Sequence, residues 1–132
     1  ETDIYTDPNQ AKDFVDATAV DCLAVAFGTV HGVYLKEPKL DLDRVKKIYD
    51  EVNIPLVMHG GSGVEASDYR TAIEKGIAKI NYYTYANQAG AAALRDYLKA
   101  DNQDYFLEDC IEVATKGLRE DYMEALKIFN GK

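Results

Sequence analysis

Cations are in short supply in this chain. Fifteen lysines and arginines face 23 aspartates and glutamates over 132 residues, a formal net charge of −8. Phosphate backbones and anionic bilayers are held by clustered cations, so the balance argues against nucleic acid or a membrane surface as a partner. Cysteine is scarce as well: Cys22 and Cys110 are too few for a disulfide scaffold and show no paired CxxC spacing. Both sit in apolar stretches and are expected to be buried thiols. No apolar run approaches the roughly 18 residues of a membrane span. Residues 1–7 lack the basic and then apolar layout of a secretion signal, so a cytoplasmic location is expected. Linkers, low-complexity tracts and exact repeats are missing too. With 47% hydrophobic and 29% charged residues, what is there is an ordinary globular composition with about one domain's worth of core.

Short runs rich in Val, Ile and Leu alternate with stretches of helical periodicity, the signature of βα units. Asp7 can cap a first helix that has Pro8 at its opening position and Ala11, Phe14, Val15 and Thr18 at helical spacing, ending before Val20. Residues 21–28 then read as a strand that is apolar on both faces. A polar loop over 29–39 leads to a second helix from Asp41, with Leu42, Val45, Ile48, Tyr49 and Val52 on one stripe. Residues 54–59 form the second strand, 66–75 a helix stopped by Gly76, and 77–81 the third strand. An Ala-rich helix over 84–100 and a last one over 107–129 complete the pattern.

Parallel α/β folds place ligands at the carboxyl ends of their strands. Here the three strand ends run into Gly28-Thr29-Val30-His31-Gly32, His59-Gly60-Gly61-Ser62-Gly63 and Asn81-Tyr82-Tyr83-Thr84. The chain has two histidines, His31 and His59, and both fall in these segments. Imidazole is a common neutral zinc ligand, although each His can equally cap a strand and bond a loop carbonyl. Glycines around Ser62 let a backbone approach a phosphate, although a plain strand-to-helix turn has the same composition. Thr84 opens a helix, where amides and the macrodipole attract a second anion.

These motifs, carried by YTDPNQAKDFVDATAVDCLAVAFGTVHGVY, PKLDLDRVKKIYDEVNIPLVMHGGSGV and AIEKGIAKINYYTYANQA, resemble the class II, zinc-dependent fructose-bisphosphate and tagatose-bisphosphate aldolases. The likeness covers nearly the whole chain and is least distinctive after Lys99. It implies the C-terminal portion of a (β/α)8 TIM barrel, with residues 1–132 forming half of a single aldolase domain. By resemblance His31 and His59 are zinc ligands. Gly32, Gly60, Gly61, Ser62, Tyr83 and Thr84 belong to the substrate-phosphate site, and Asn81 contacts the reacting enediolate. The implied reaction is reversible cleavage of a ketose 1,6-bisphosphate to dihydroxyacetone phosphate and glyceraldehyde 3-phosphate, with Zn2+ polarising the carbonyl. The family also implies a monovalent cation such as Na+ or K+ near the phosphate loops, and a homo-oligomer.

Departures accompany the matches. The family's general acid/base aspartate and its third zinc histidine lie in the other half of the barrel. Tyr85 stands where an acidic residue is usual, and Tyr82 and Tyr83 are bulky, which fits either a different ketose preference or simple packing. No lysine Schiff base is required, so Lys36, Lys39 and Lys79 read as surface or loop residues. A complete barrel needs roughly 250 residues. Three strands cannot close one, so Leu23, Val25, Leu56, Met58 and Ile80 are expected to face an interior lacking its opposite wall, and the isolated half is expected to be inactive. The alternative is a non-catalytic module that binds a sugar phosphate or a metal without turnover. A structural oligomerisation piece is a third reading.

Overall fold

The structure is a computed structural model that describes residues 4–30, 32, 38–100 and 104–131. Its elements run α1 (Pro8–Thr18), β1 (Leu23–Ala24), α2 (Leu42–Val52), β2 (Leu56–Met58), α3 (Ala66–Glu74), β3 (Ile77–Ile80), α4 (Thr84–Leu98) and α5 (Leu107–Phe129). They fall into two compact units, Glu1–Tyr82 and Tyr83–Lys132.

The first unit is built on a three-stranded parallel sheet in the order β1-β2-β3. Leu23 pairs with Leu56 and Ala24 with Val57; across β2, Val57 pairs with Lys79 and Met58 with Ile80 after a register shift at Leu56/Val57. Helices α1 and α2 start where short acidic side chains satisfy their first amides. Asp7 accepts from the backbone N–H groups of Asn9 and Gln10, and Asp41 from that of Arg44. Arg44 also pairs with the Asp41 carboxylate at 3.0 Å, donates to the Thr6 carbonyl and lies over the Tyr5 ring. This group ties the segment before α1 to the start of α2.

β1 is much shorter than the 21–28 run suggests because its continuation bonds elsewhere. Thr6 N–H donates to the Ala26 carbonyl, Ala26 N–H to Thr6 Oγ1, and Asp41 N–H to the Phe27 carbonyl. The alternation of a strand persists nevertheless: Val25 and Phe27 are buried, whereas Cys22, Ala24 and Ala26 are exposed. Cys22 is therefore not the buried thiol expected from its neighbours, since it belongs to the exposed alternate set; Cys110, on α5, is half-buried.

The core draws on Val25, Phe27, Leu56 and Met58 from the sheet, Val45, Ile48 and Val52 from one stripe of α2, and Tyr69 and Ala72 from α3. Leu56 and Met58 are 0% exposed, so they pack under the helices and do not line an open barrel interior as the sequence reading placed them. The opposite face carries Ala24, Val57 and Lys79. A continuous apolar run reveals that both faces are apolar, not which alternate set meets the helices.

The second unit pairs α4 with α5. Gly90 marks a close approach, because a Cβ there would lie 2.8 Å from the Ala114 carbonyl oxygen. Tyr97 and Tyr105 stack edge to face across the connection between the two helices, with ring centroids 5.5 Å apart. Among the described residues, no helix is long and apolar enough to cross a membrane.

Candidate functional site

Three loops leave the carboxyl ends of the parallel strands, and within the first unit they meet. Gly60 adopts φ +66, and a Cβ on it would stand 2.2 Å from the Val30 carbonyl oxygen, so the loop after β2 lies directly on the loop after β1. Only glycine permits both this backbone conformation and this approach. Gly61 N–H donates to the Asn81 carbonyl at 3.1 Å, and Asn81 N–H donates to the Met58 carbonyl at 2.9 Å. The loop after β2 is thereby fastened to the end of β3.

These bonds bring two predicted site residues into contact. The Asn81 amide nitrogen lies 2.9 Å from both Nδ1 and Nε2 of His59. A neutral imidazole carries one N–H and one in-plane lone pair, so the amide N–H can donate to only one of the two ring nitrogens. The contact thus places the residues side by side without fixing the tautomer. His59 follows directly on Met58, whose burial anchors the strand end, while its own ring is exposed. Ser62 is 4% exposed, a buried polar group at the base of its loop. Gly32 has φ +92, with no atom of the described residues within 4 Å of where a Cβ would stand, and His31 lies outside the described residues.

Tyr83 and Thr84 belong to the second unit. Thr84 is the first residue of α4, and N-cap Tyr83 makes no side-chain bond to the helix amides, so the positive end of this 15-residue helix carries no side-chain cap. Tyr83 is 65% exposed and accepts a hydrogen bond at its hydroxyl from Asn87 Nδ2, one turn along. The sequence reading missed one resident of the His59 face. The register that pairs Val57 with Lys79 puts Lys79 on the side of His59 and Asn81, a position legible by counting back two residues from Asn81.

The whole chain, residues 1–132, matches the family described as fructose-bisphosphate aldolase class-II. The chain belongs to the class II fructose-bisphosphate aldolase family. Among class II aldolase relatives, the protein YdjI of Escherichia coli (strain K12) is 44% identical over 125 residues, which cover 95% of this chain and 43% of YdjI. The crystal structure of the YdjI aldolase matches with a TM-score of 0.83, over 95% of this chain and 46% of that one. A putative fructose-1,6-bisphosphate aldolase from Coccidioides immitis, 28% identical, matches with a TM-score of 0.84 over 96% of this chain and 43% of its own. Fructose-bisphosphate aldolase from Campylobacter jejuni, 23% identical, shares the fold with a TM-score of 0.78 over 96% of this chain and 46% of its own. The chain thus spans somewhat less than half the length of the relatives it matches. The three-stranded parallel α/β arrangement is the C-terminal portion of a (β/α)8 barrel, as the motifs implied.

A class II aldolase calls for a divalent metal. Among the described residues no three His, Cys, Asp or Glu side chains gather into a metal-sized group. They do provide one exposed imidazole at a strand end, the donor type that zinc prefers. The fit is that of a partial ligand set.

Proposed function

We propose that this chain forms the C-terminal half of a single class II aldolase domain that reversibly cleaves a ketose 1,6-bisphosphate into dihydroxyacetone phosphate and glyceraldehyde 3-phosphate. The observation that carries the reading is the His59–Asn81 contact at 2.9 Å, at the strand ends of a chain belonging to this family. His59 and His31 would hold the divalent metal, Zn2+ by donor type, with the remaining ligand and the acid/base aspartate supplied by the rest of the barrel. When bound, such an ion polarises the ketose carbonyl as a Lewis acid.

The chain's own residues set the geometry. Asn81 is held at its backbone by Met58 and Gly61, so its amide is pre-positioned to donate to an oxygen of the enediolate that cleavage produces. Gly32, Gly60, Gly61 and Ser62 form one wall of the proposed phosphate site, where Gly61 shapes the loop through its own bond to the Asn81 carbonyl and neighbouring backbone amides are proposed to meet the anion without drawing on the chain's few cations. On the family resemblance alone, Tyr83 and Thr84 at the uncapped start of α4 are proposed as further phosphate-binding residues. Phosphate binding of this kind orients the reacting carbons and takes no part in bond breaking.

Ser62→Ala in the full-length protein tests the assignment of the loop. Loss of a hydrogen bond serving a charged ligand should raise KM for the ketose bisphosphate roughly tenfold while leaving kcat within about twofold. Steady-state kinetics measure both; an unchanged KM would remove Ser62 from the phosphate site.

A further inference from the structure

Lys79 lies on β3 two residues before Asn81. Its pairing with Val57, next to the Met58–Ile80 pair, places it on the sheet face opposite buried Met58 and on the same face as His59. Its side chain is exposed, and among the described residues no ion pair or hydrogen bond engages its ammonium. The other residues assigned to this face, Ala24, Ala26, Val57, His59 and Asn81, carry no fixed charge. In a chain of net charge −8, the lone fixed charge among the described residues on the face of the His59–Asn81 pair is therefore positive. Two residues of strand separate the Lys79 and Asn81 Cα atoms by about 7 Å, a span the flexible four-carbon lysine stem can cover.

We propose that Lys79 supplies fixed positive charge beneath the His59–Asn81 pair and stabilises the anion formed during carbon–carbon cleavage. The proposal rests on the aldolase reading above. In that reaction the bond between the two sugar halves breaks, and its electron pair stays on the ketose-phosphate half as an enediolate. The hydroxyl proton of the other half passes to the general base, leaving an aldehyde. Lys79 neither gives nor takes a proton; its ammonium acts through space on the new negative charge. Enclosure by the remaining barrel wall strengthens that interaction, since the effective dielectric falls when water is excluded. The competing role is a structural one, in which Lys79 pairs with a carboxylate from that wall.

The test is steady-state kinetics and thermal melting of the full-length protein, wild type against Lys79→Met and Lys79→Arg. Removing the charge should lower kcat roughly 10- to 50-fold with KM within about twofold, and Lys79→Arg should restore most of the loss. Lys79→Gln, which keeps a polar stem, replaces the methionine variant if that one misfolds. A kcat within about twofold of wild type in the charge-free variant would overturn the proposal. So would equal losses in the Met and Arg variants accompanied by a lower Tm, the mark of a structural role. A wild-type protein that cleaves no ketose bisphosphate would end the aldolase reading and this proposal together, whereas an active wild type with an unaffected Lys79→Met would end this proposal alone.

Discussion

His59→Ala in the full-length protein should lower kcat/KM for ketose-bisphosphate cleavage roughly a thousandfold or more. Alanine removes both the proposed metal-ligating imidazole and the ring against which the Asn81 amide is set at 2.9 Å. Because His59 is exposed and the strand is anchored through the fully buried Met58, the fold should survive. The thermal midpoint should hold while bound divalent metal, measured by elemental analysis, falls with activity. His31→Ala should behave alike, on the reading of both histidines as ligands. Near-normal turnover in either variant would sink the ligand assignment. A loss of activity with full metal occupancy would shift His59 to a role in holding Asn81.

Gly60→Ala is expected to be the most destabilising single-methyl change in the site. The added Cβ would meet the Val30 carbonyl oxygen at 2.2 Å and its carbon at 2.6 Å, and both are backbone atoms that cannot rotate away. The left-handed φ of +66 adds conformational strain. Forced backbone displacement of this kind costs about 3 kcal/mol, and Tm should drop by about 10 °C. Gly32→Ala is the internal control: its φ is +92, but no atom of the described residues lies within 4 Å of the new Cβ, so strain of about 1–2 kcal/mol is the expected cost. Thermal denaturation of the two variants side by side gives the comparison. Similar midpoints would mean that the loops after β1 and β2 do not press together as described.

The order of elements was legible because short apolar runs alternate with helical stripes, and the first two helices announce their starts. Asp7 with Pro8, and Asp41, cap where short acidic side chains precede an apolar stripe, and α5 runs over Leu107–Phe129 just as its periodicity indicates. The faces of the strands were not legible. Cys22-Leu23-Ala24-Val25 is apolar throughout, so nothing in it distinguishes the set that meets the helices from the set that does not. The same ambiguity assigned Leu56 and Met58 to the wrong side and hid Lys79 among surface lysines. The register shift at Leu56/Val57 compounds it, because a one-residue slip exchanges the two sets. Strand-end chemistry was easier to find, since His59, Gly60, Gly61 and Asn81 interrupt the apolar runs in which they sit. The division at Tyr82/Tyr83 left no trace in composition, with no Pro- or Gly-rich linker there.

The most direct test of the aldolase reading is phosphorus NMR of a ketose 1,6-bisphosphate incubated with the full-length protein, before and after chelation and again after a divalent metal is restored. Two triose phosphates are expected, their formation lost on chelation and restored with metal. Phosphate binding with no triose phosphate under any of these conditions would contradict that reading and leave a sugar-phosphate-binding module in its place.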